Sequence, residues 1–459
     1  MVFVMKERYR FLQNRLAPML ICLDRFASAH QTALFWVGAI LYKFALDAMY
    51  IWAVSPQYAY AGMVYAPSFF KYCVASVLYL LLFAVLPKRE KDTAAFLLHL
   101  QFAFTVAPML SFYALAGQSS RYMLMVFLCV LLQIWIVFRG KEKLRPVSIT
   151  GIQNYATVML GILLLFTVLI PVLYNGFHGL KAFDFSYIYT MRANAAYPPG
   201  FGYILDWVTK AVLPFGFLYA LLQRRYPLAA LIAVFQVLLY METGIKFILF
   251  IFLPITLVFL LSKSGHLLKL LYAGFFLLCA AVVFGYQLDQ GQSGLGITLT
   301  SLAGIRAIFI PAYNKFLFYE CFSVYPHTYF SDGMIGKMLS LTYPYGGSLG
   351  QVAYAFEGGE FMGSNSNTGY LGEAYAQMGF LGMLLMSVLL ALVLRGLRSY
   401  GSKENFPLIT ALFSVYFIIL NDGALFTTLF SGGMFIAFLL VFIYFGKHSE
   451  DTAHGIQCL

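Results

Sequence analysis

Tyr155–Ala–Thr–Val–Met–Leu–Gly–Ile–Leu–Leu–Leu–Phe–Thr–Val–Leu–Ile–Pro–Val–Leu–Tyr174 holds no charged side chain. As an α-helix a run of this length is about 30 Å long, the thickness of a bilayer's hydrocarbon core. A helix satisfies its backbone N–H and C=O groups within the segment, so the run reads as a membrane crossing. Working outward, eleven further apolar runs lie near 34–54, 66–86, 94–116, 121–138, 208–222, 227–242, 245–261, 267–286, 369–394, 407–422 and 427–445. The expected fold is an all-α polytopic membrane protein with about twelve transmembrane helices. The sixth to eighth runs are short for a full crossing, so one of them is expected to be tilted, broken or extended.

Composition agrees. Of 459 residues, 61% are apolar, 18% aromatic and 11% charged. Mean hydropathy is +0.79. Soluble domains run nearer half apolar and a quarter charged, which excludes a water-soluble globule. The apolar content equally excludes a disordered chain. The six cysteines are scattered with no C-x-x-C spacing. They read as reduced, buried packing residues and form neither a disulfide framework nor a metal site.

The net charge of +11 would suggest nucleic acid in a soluble protein. Its distribution gives another cause. Numbering the gaps alternately from a cytoplasmic start, and counting the ends of the adjoining runs with them, the inside segments carry 20 Lys and Arg and the outside segments carry 8. Basic residues collect in cytoplasmic loops, so both termini are expected in the cytoplasm and no nucleic-acid partner is needed. Residues 1–33 mix Lys6, Arg8, Arg10, Arg15 and Arg25 with Leu and Phe at helical spacing and read as an amphipathic cytoplasmic-side helix. No cleavable signal-peptide pattern stands there. Residues 34–286 read as the first nine helices, 369–445 as the last three, and 446–459 as a cytoplasmic tail. External loops are expected over 175–207 and, much larger, over 287–368. The second is rich in Gly, Ser, Tyr, Phe and Asn, and its apolar stretches 305–310 and 316–322 suggest short surface helices.

No Walker motif, Rossmann glycine pattern or nucleophile elbow is present. The histidines are dispersed, so neither a metal nor a cofactor is expected. Lys43 and Asp47 share one helix face four residues apart and read as a structural ion pair. His99 and Gln101 read as interfacial. On the external side Arg192, Arg306 and Lys246 run against the positive-inside bias. Arginine's planar fork grips phosphate oxygens, so these three are candidate phosphate ligands. Glu373 follows the polar stretch Gly363–Ser–Asn–Ser–Asn–Thr–Gly–Tyr–Leu–Gly372 and falls just inside a span. An ionisable group there is a functional candidate, here as a general base. His327 is the nearest loop histidine and the alternative base. Glu357 and Glu360 read as exposed turn residues.

Residues Asn367–Gly382 resemble the segment after the large periplasmic loop in bacterial oligosaccharide repeat-unit polymerases, the O-antigen and capsule polymerases of the Wzy type. Arg306–Ala312 with the aromatic run Tyr313–Tyr319 is similar to that family's loop arginine region. Thr243–Lys246 and Leu425–Gly433 resemble two of its external turns. The resemblance implies a metal-independent glycosyltransferase of GT-C type in the bacterial inner membrane, with its active site on the external, periplasmic face. Its substrate would be undecaprenyl-pyrophosphate-linked oligosaccharide, with a flippase, a chain-length regulator and membrane lipids as partners. In that reading Arg192, Arg306 and Lys246 match the pyrophosphate and Glu373 takes the acceptor proton. Tyr313, Tyr319, Asn365 and Asn367, with Tyr343 and Tyr345, hold sugars. Two rivals stand beside it, an O-antigen ligase and a transporter or flippase of lipid-linked oligosaccharide. The ligases carry a His-Asn pair where this chain has Asn365–Ser366–Asn367, and transporters commonly repeat a half that this chain lacks.

Overall fold

A computed structural model describes residues 31–139, 147–148, 152–289, 292, 294–333, 336, 338–361, 363–401, 404–445 and 447–448. Nearly all of the amphipathic segment expected over 1–33 and of the tail expected over 446–459 lies outside these residues. Among the described residues the regular structure is helical, apart from a two-residue parallel pairing of Val147–Ser148 with Lys447–His448. In order the helices are α1 Thr32–Ala61, α2 Phe69–Val85, α3 Thr93–Leu115, α4 Ser120–Phe138 and α5 Gln153–Asn175. Next come α6 Phe185–Asn194, α7 Phe201–Leu222, α8 Tyr226–Thr243, α9 Lys246–Ser262 and α10 Leu267–Asp289. The rest are α11 Leu295–Val324, α12 Leu349–Phe356, α13 Tyr370–Tyr400, α14 Phe406–Ile419, α15 Leu425–Leu429 and α16 Met434–Phe445. Among the described residues nine helices are long and apolar enough to cross a membrane, and α2, α9, α14 and α16 are shorter apolar helices.

Local sequence accounts for the starts. Ser68, Asp92 and Ser119 each accept a backbone N–H of the first turn of α2, α3 and α4. Four prolines account for a second pattern. Pro56, Pro108, Pro214 and Pro311 each follow a π-helical stretch, over Tyr50–Val54, Phe102–Val106, Val208–Val212 and Thr300–Phe309. Proline lacks an N–H and its ring crowds the carbonyl four residues earlier. The helix widens over that turn and continues. This is how the short sixth apolar run extends back to Phe201, and why α11 runs through Pro311 as one helix.

Side-chain contacts give the directions. Phe35, His99 and Tyr272 meet across α1, α3 and α10. Further along, Tyr42 donates to Ala103 O and faces Phe275, and Tyr50 then reaches Phe112. The three helices are therefore parallel. Helices α2 and α4 run the other way. One end, called basal here, carries Arg89, Asp92, Arg139 and Arg398, with Arg398 Nε 3.0 Å from Asp92 Oδ2. The other, apical, end carries the turns after α1, α3 and α10. The α3 span is 94% buried and forms the centre, whereas the α5 span is 11% buried at the rim. Val158, Leu165, Leu128, Trp135 and Phe44 are exposed on outer faces. Apolar surface of that extent marks contact with lipid rather than water. The fold is a polytopic helical membrane protein.

Three expectations need correction. The stretch 287–368 holds α11, a 30-residue helix, in place of separate short surface helices. Both parts of α11 touch the apical end: Gly296 abuts Gly285 of α10, and Tyr319 stacks on Tyr122 at 5.0 Å. In between, Gly304 rests against Val54 and Met49. The helix thus lies across that end. His99 and Gln101 are buried core residues, with His99 bonded to Tyr272 and Pro87. A helix that packs on all sides has no interfacial face. Cys73 is exposed, while Cys129, Cys279 and Cys321 are buried. Lys43 and Asp47 pair as expected, at 2.6 Å, with Ser111 and Tyr72 completing the cluster.

Candidate functional site

The site is built where α13 begins. Its first two turns stop at Met378 (φ −147°, ψ 26°) and Gly379 (φ 61°, ψ −145°), and the chain then bends sharply into the long remainder of the helix. The bend is so tight that a Cβ on Gly382 would overlap the Ala374 carbonyl. Non-glycine residues almost never hold the Gly379 conformation, which explains the glycine. The half-helix Tyr370–Gln377 penetrates toward the core. The Tyr370 hydroxyl accepts from Gln101 Nε2 (2.6 Å) and Gln133 Nε2 (2.8 Å).

Glu373 sits on this half-helix. Its Oε1 accepts from Gln377 Nε2 at 2.9 Å, while Oε2 is buried and has no hydrogen-bond partner among the described residues. Gln377 Nε2 also donates to Asp332 Oδ1 at 3.0 Å. Its Oε1 accepts from Thr328 Oγ1 and the Phe330 N–H, both at 2.6 Å. One amide thus ties the 328–332 loop, through Thr328, Phe330 and Asp332, to the Glu373 carboxylate. A buried carboxylate oxygen without a donor costs free energy unless something binds it. His327 lies edge-on to Tyr375 with ring centroids 5.5 Å apart, and its buried Nδ1 likewise has no partner among the described residues.

Beneath the polar stretch lies Lys315, which is fully buried. Its ammonium donates to Pro311 O (2.9 Å), Asn421 O and Asn421 Oδ1 (3.2 Å), using all three N–H groups. Asn314 Nδ2 donates to Asn367 O at 2.6 Å, and Asn421 Nδ2 to Ala307 O at 3.2 Å. The end of α14 is thereby clamped to α11 and to the entry of α13. Sequence reasoning counted Lys315 only as one external basic residue. The missed signal was its place inside the aromatic run Tyr313–Phe322, where a lysine needs buried acceptors.

Each expected site residue has a definite place. Arg306 is exposed on α11 and makes no hydrogen bond among the described residues. Tyr313 donates to Glu357 and packs on Phe112, so its hydroxyl is committed. Tyr319 is sandwiched among Tyr122, Tyr375 and Phe380. Tyr313 and Tyr319 thus act as packing groups more than as open stacking faces. Asn365 donates to Asn367 Oδ1 at 2.7 Å and accepts from Ser348 at 2.8 Å. Tyr343 and Tyr345 donate to Gly347 O and Pro326 O. Burial pushes the Tyr343 hydroxyl up to about 12.

Arg192 and Lys246 form a second group. Arg192 lies on α6 against the turn at Gly244, where its Cγ would stand 3.5 Å from an added Cβ. Lys246 stands over the Tyr189 ring at 5.5 Å. Between the two groups runs the segment 420–433. It is tied to α11 through Asn421 and to α7 through Trp207, whose indole donates to Phe430 O at 2.7 Å. Glu373, His327, Tyr319, Asn365, Asn367 and Arg306 belong to one neighbourhood of α11 and α13. Arg192 and Lys246 belong to another, on α6, α8 and α9.

No family model, curated protein or solved structure matches this chain.

Proposed function

We propose that this chain is a membrane glycosyltransferase that joins oligosaccharide units carried on undecaprenyl pyrophosphate into an O-antigen, capsular or exopolysaccharide chain. The observation that carries the reading is the half-helix Tyr370–Gln377, with a buried Glu373 oxygen beside a polar loop and an exposed Arg306 on the adjoining helix, neither of them hydrogen-bonded among the described residues. An acceptor hydroxyl is a weak nucleophile and needs a positioned base, which Glu373 supplies. The hydroxyl oxygen bonds to the donor's anomeric carbon as the bond from that carbon to the diphosphate oxygen breaks. The proton goes to Glu373, and the electron pair leaves with the polyprenyl diphosphate. Arg306, and Arg192 with Lys246, match that charge. The donor bond supplies the energy, so no nucleotide or metal is invoked.

In this reading the chain crosses the bacterial inner membrane twelve times in a GT-C-like arrangement, with both termini cytoplasmic and the apical end external. A flippase would deliver its substrate and a chain-length regulator would limit its product. The test compares purified wild type, Glu373→Gln and Glu373→Ala on lipid-pyrophosphate-linked repeat units, read as product ladders. Glu373→Gln keeps the shape and the Gln377 contact without the basicity, and a base contributes roughly 10²–10⁴-fold. Near-complete loss of the ladder at normal protein level is expected. A wild-type ladder from the Gln variant removes Glu373 from the mechanism and moves suspicion to His327.

One observation favours a transporter instead. Interrupted helices such as α13 at Gly379 are where transporters bind cargo. A transporter would move intact lipid-linked oligosaccharide between leaflets and form no new glycosidic bond. An O-antigen ligase would run the same chemistry onto a lipid A core acceptor.

A further inference from the structure

At the end of α5 lies a cavity of about 310 Å³, within the range of ligand pockets. Its walls include Tyr174, Asn175, His178, Tyr187, Thr190 and Asn194, and no Asp, Glu, Lys or Arg lines it. Its frame is locked from behind. The Asn175 amide clamps Ala196 with both of its ends, at 2.7 and 3.1 Å. His178 Nδ1 and the Tyr187 hydroxyl are 3.1 Å apart. The buried Glu242 carboxylate accepts the His178 and Gly179 N–H groups, holding the loop on α8. Asp184 caps α6, and hydrogen bonds from the Ser186 hydroxyl and N–H hold its carboxyl below its usual range.

Within that rigid frame the groups that face outward are uncommitted. Among the described residues Tyr174, Thr190 and Asn194 have no hydrogen-bond partner for their side chains. The walls therefore offer aromatic faces, two hydroxyls and an amide with free donors and acceptors, and no Asp, Glu, Lys or Arg. This combination suits a ligand with apolar ring faces and many hydroxyls. It does not suit a phosphate.

We propose that this cavity is a binding subsite for a neutral pyranose ring. Its lining comes from residues 174–196, apart from Tyr313 and Tyr319 on α11 and from Asn365 and Asn367 before α13. Helix α6 also tells which ring. At 100° per residue, Arg192 stands some 160–200° round the helix from Thr190 and Asn194. The cations and the cavity thus occupy opposite sides of a helix about 10 Å across. A lipid diphosphate held by Arg192 would reach the cavity only with a sugar beyond the one bonded to phosphate. That last step rests on the polymerase reading, whereas the cavity's taste for a neutral sugar does not.

The test uses the full chain in nanodiscs free of glycosidic detergent. Saturation-transfer NMR reads the methyl pyranosides of glucose, galactose, mannose, rhamnose and N-acetylglucosamine. At least one is expected to receive saturation. Asn194→Ala and Thr190→Val each remove about one hydrogen bond, near 1 kcal/mol, and should weaken binding about fivefold. Tyr174→Leu, at an exposed position, should weaken it too, and Gly274→Ala, on α10 with open space around an added Cβ, should leave it unchanged. Saturation of none of the five pyranosides, or equal saturation in all three cavity variants, overturns the proposal. Binding by wild-type protein that makes no ladder keeps the cavity and sinks the polymerase reading. A ladder without pyranoside binding sinks the cavity alone.

Discussion

Gly379→Ala is the substitution that bears hardest on the site. The backbone there, at φ 61° and ψ −145°, is one that alanine holds only under strain of about 1–3 kcal/mol. The new Cβ would also stand 3.1 Å from His327 Nε2, so the imidazole must shift by a few tenths of an ångström. Gly382→Ala is worse placed, because its Cβ meets the Ala374 backbone carbonyl, which has no rotamer to escape into. Gly274 on α10 is the opposite case, with nothing within 4 Å of an added Cβ. There alanine should gain roughly 0.5–1 kcal/mol of helix propensity. Thermal unfolding in one detergent therefore has a predicted order: Gly274→Ala at or above wild type, Gly379→Ala below it, Gly382→Ala lowest. A loss of 1 kcal/mol moves the midpoint by about 2–4 °C in domains of 150–250 residues, and by less in a chain of this size. The Gly379 variant should also lose product ladders, because the bend aims Glu373. Gly379→Ala melting with Gly274→Ala and keeping full ladders would refute the bend as a built element.

Arg192→Ala and Arg306→Ala should each abolish polymer and leave single-repeat products on the cell surface. Arg306→Lys should rescue only in part, because the planar fork is lost; long polymer in both Ala variants removes the arginines from the mechanism. Lys43→Met strands the buried Asp47 and should cost about 3–5 kcal/mol, while Lys43→Met with Asp47→Leu should recover most of it. Unfolding midpoints of the two variants read this difference, and equal midpoints would deny the buried pair. For topology, single cysteines at 181 and 360 should react with an impermeant maleimide in spheroplasts, and those at 224 and 395 should not. Reaction at 395 would mean that α11 crosses the membrane instead of lying across its outer end.

The sequence was most legible where one physical rule dominates. Each of the twelve apolar runs corresponds to a helix, eight of them on helices long and apolar enough to cross a membrane and four on the shorter α2, α9, α14 and α16, because a helix bonds its own backbone whatever the neighbours are. The Lys43–Asp47 pair was legible because i,i+4 spacing is a purely local geometry. Legibility failed where distant contacts decide. Helix α11 reads as loop because Thr, Ser, Asn and Pro311 interrupt its apolar pattern. It forms as one helix because its π-helical stretch absorbs the proline and Lys315 finds acceptors 106 residues away on Asn421. His99 looked interfacial because its partner Tyr272 is 173 residues distant. At the site, Glu373 stood out as a lone carboxylate beside a polar loop. Gln377, which links it to Asp332 and the 328–330 backbone, gave no signal, since a glutamine within an apolar helix has no local mark of its role. The neutral cavity beside α6 was hidden for the same reason: Tyr174 at the end of an apolar run, and Thr190 and Asn194 on a short helix, have no local mark until Glu242 and Asn175 hold the connecting segment in place.

The central claim is that this chain makes a glycosidic bond and releases polyprenyl diphosphate. The most direct test follows both in one tube, with purified protein in liposomes and radiolabelled lipid-pyrophosphate-linked repeat units on the outer face. Our account predicts one free polyprenyl diphosphate for every new linkage, with a ladder growing by whole repeat units and no requirement for nucleotide or metal. Intact substrate appearing on the inner leaflet, with no diphosphate released and no product longer than one repeat, would contradict it and identify a transporter.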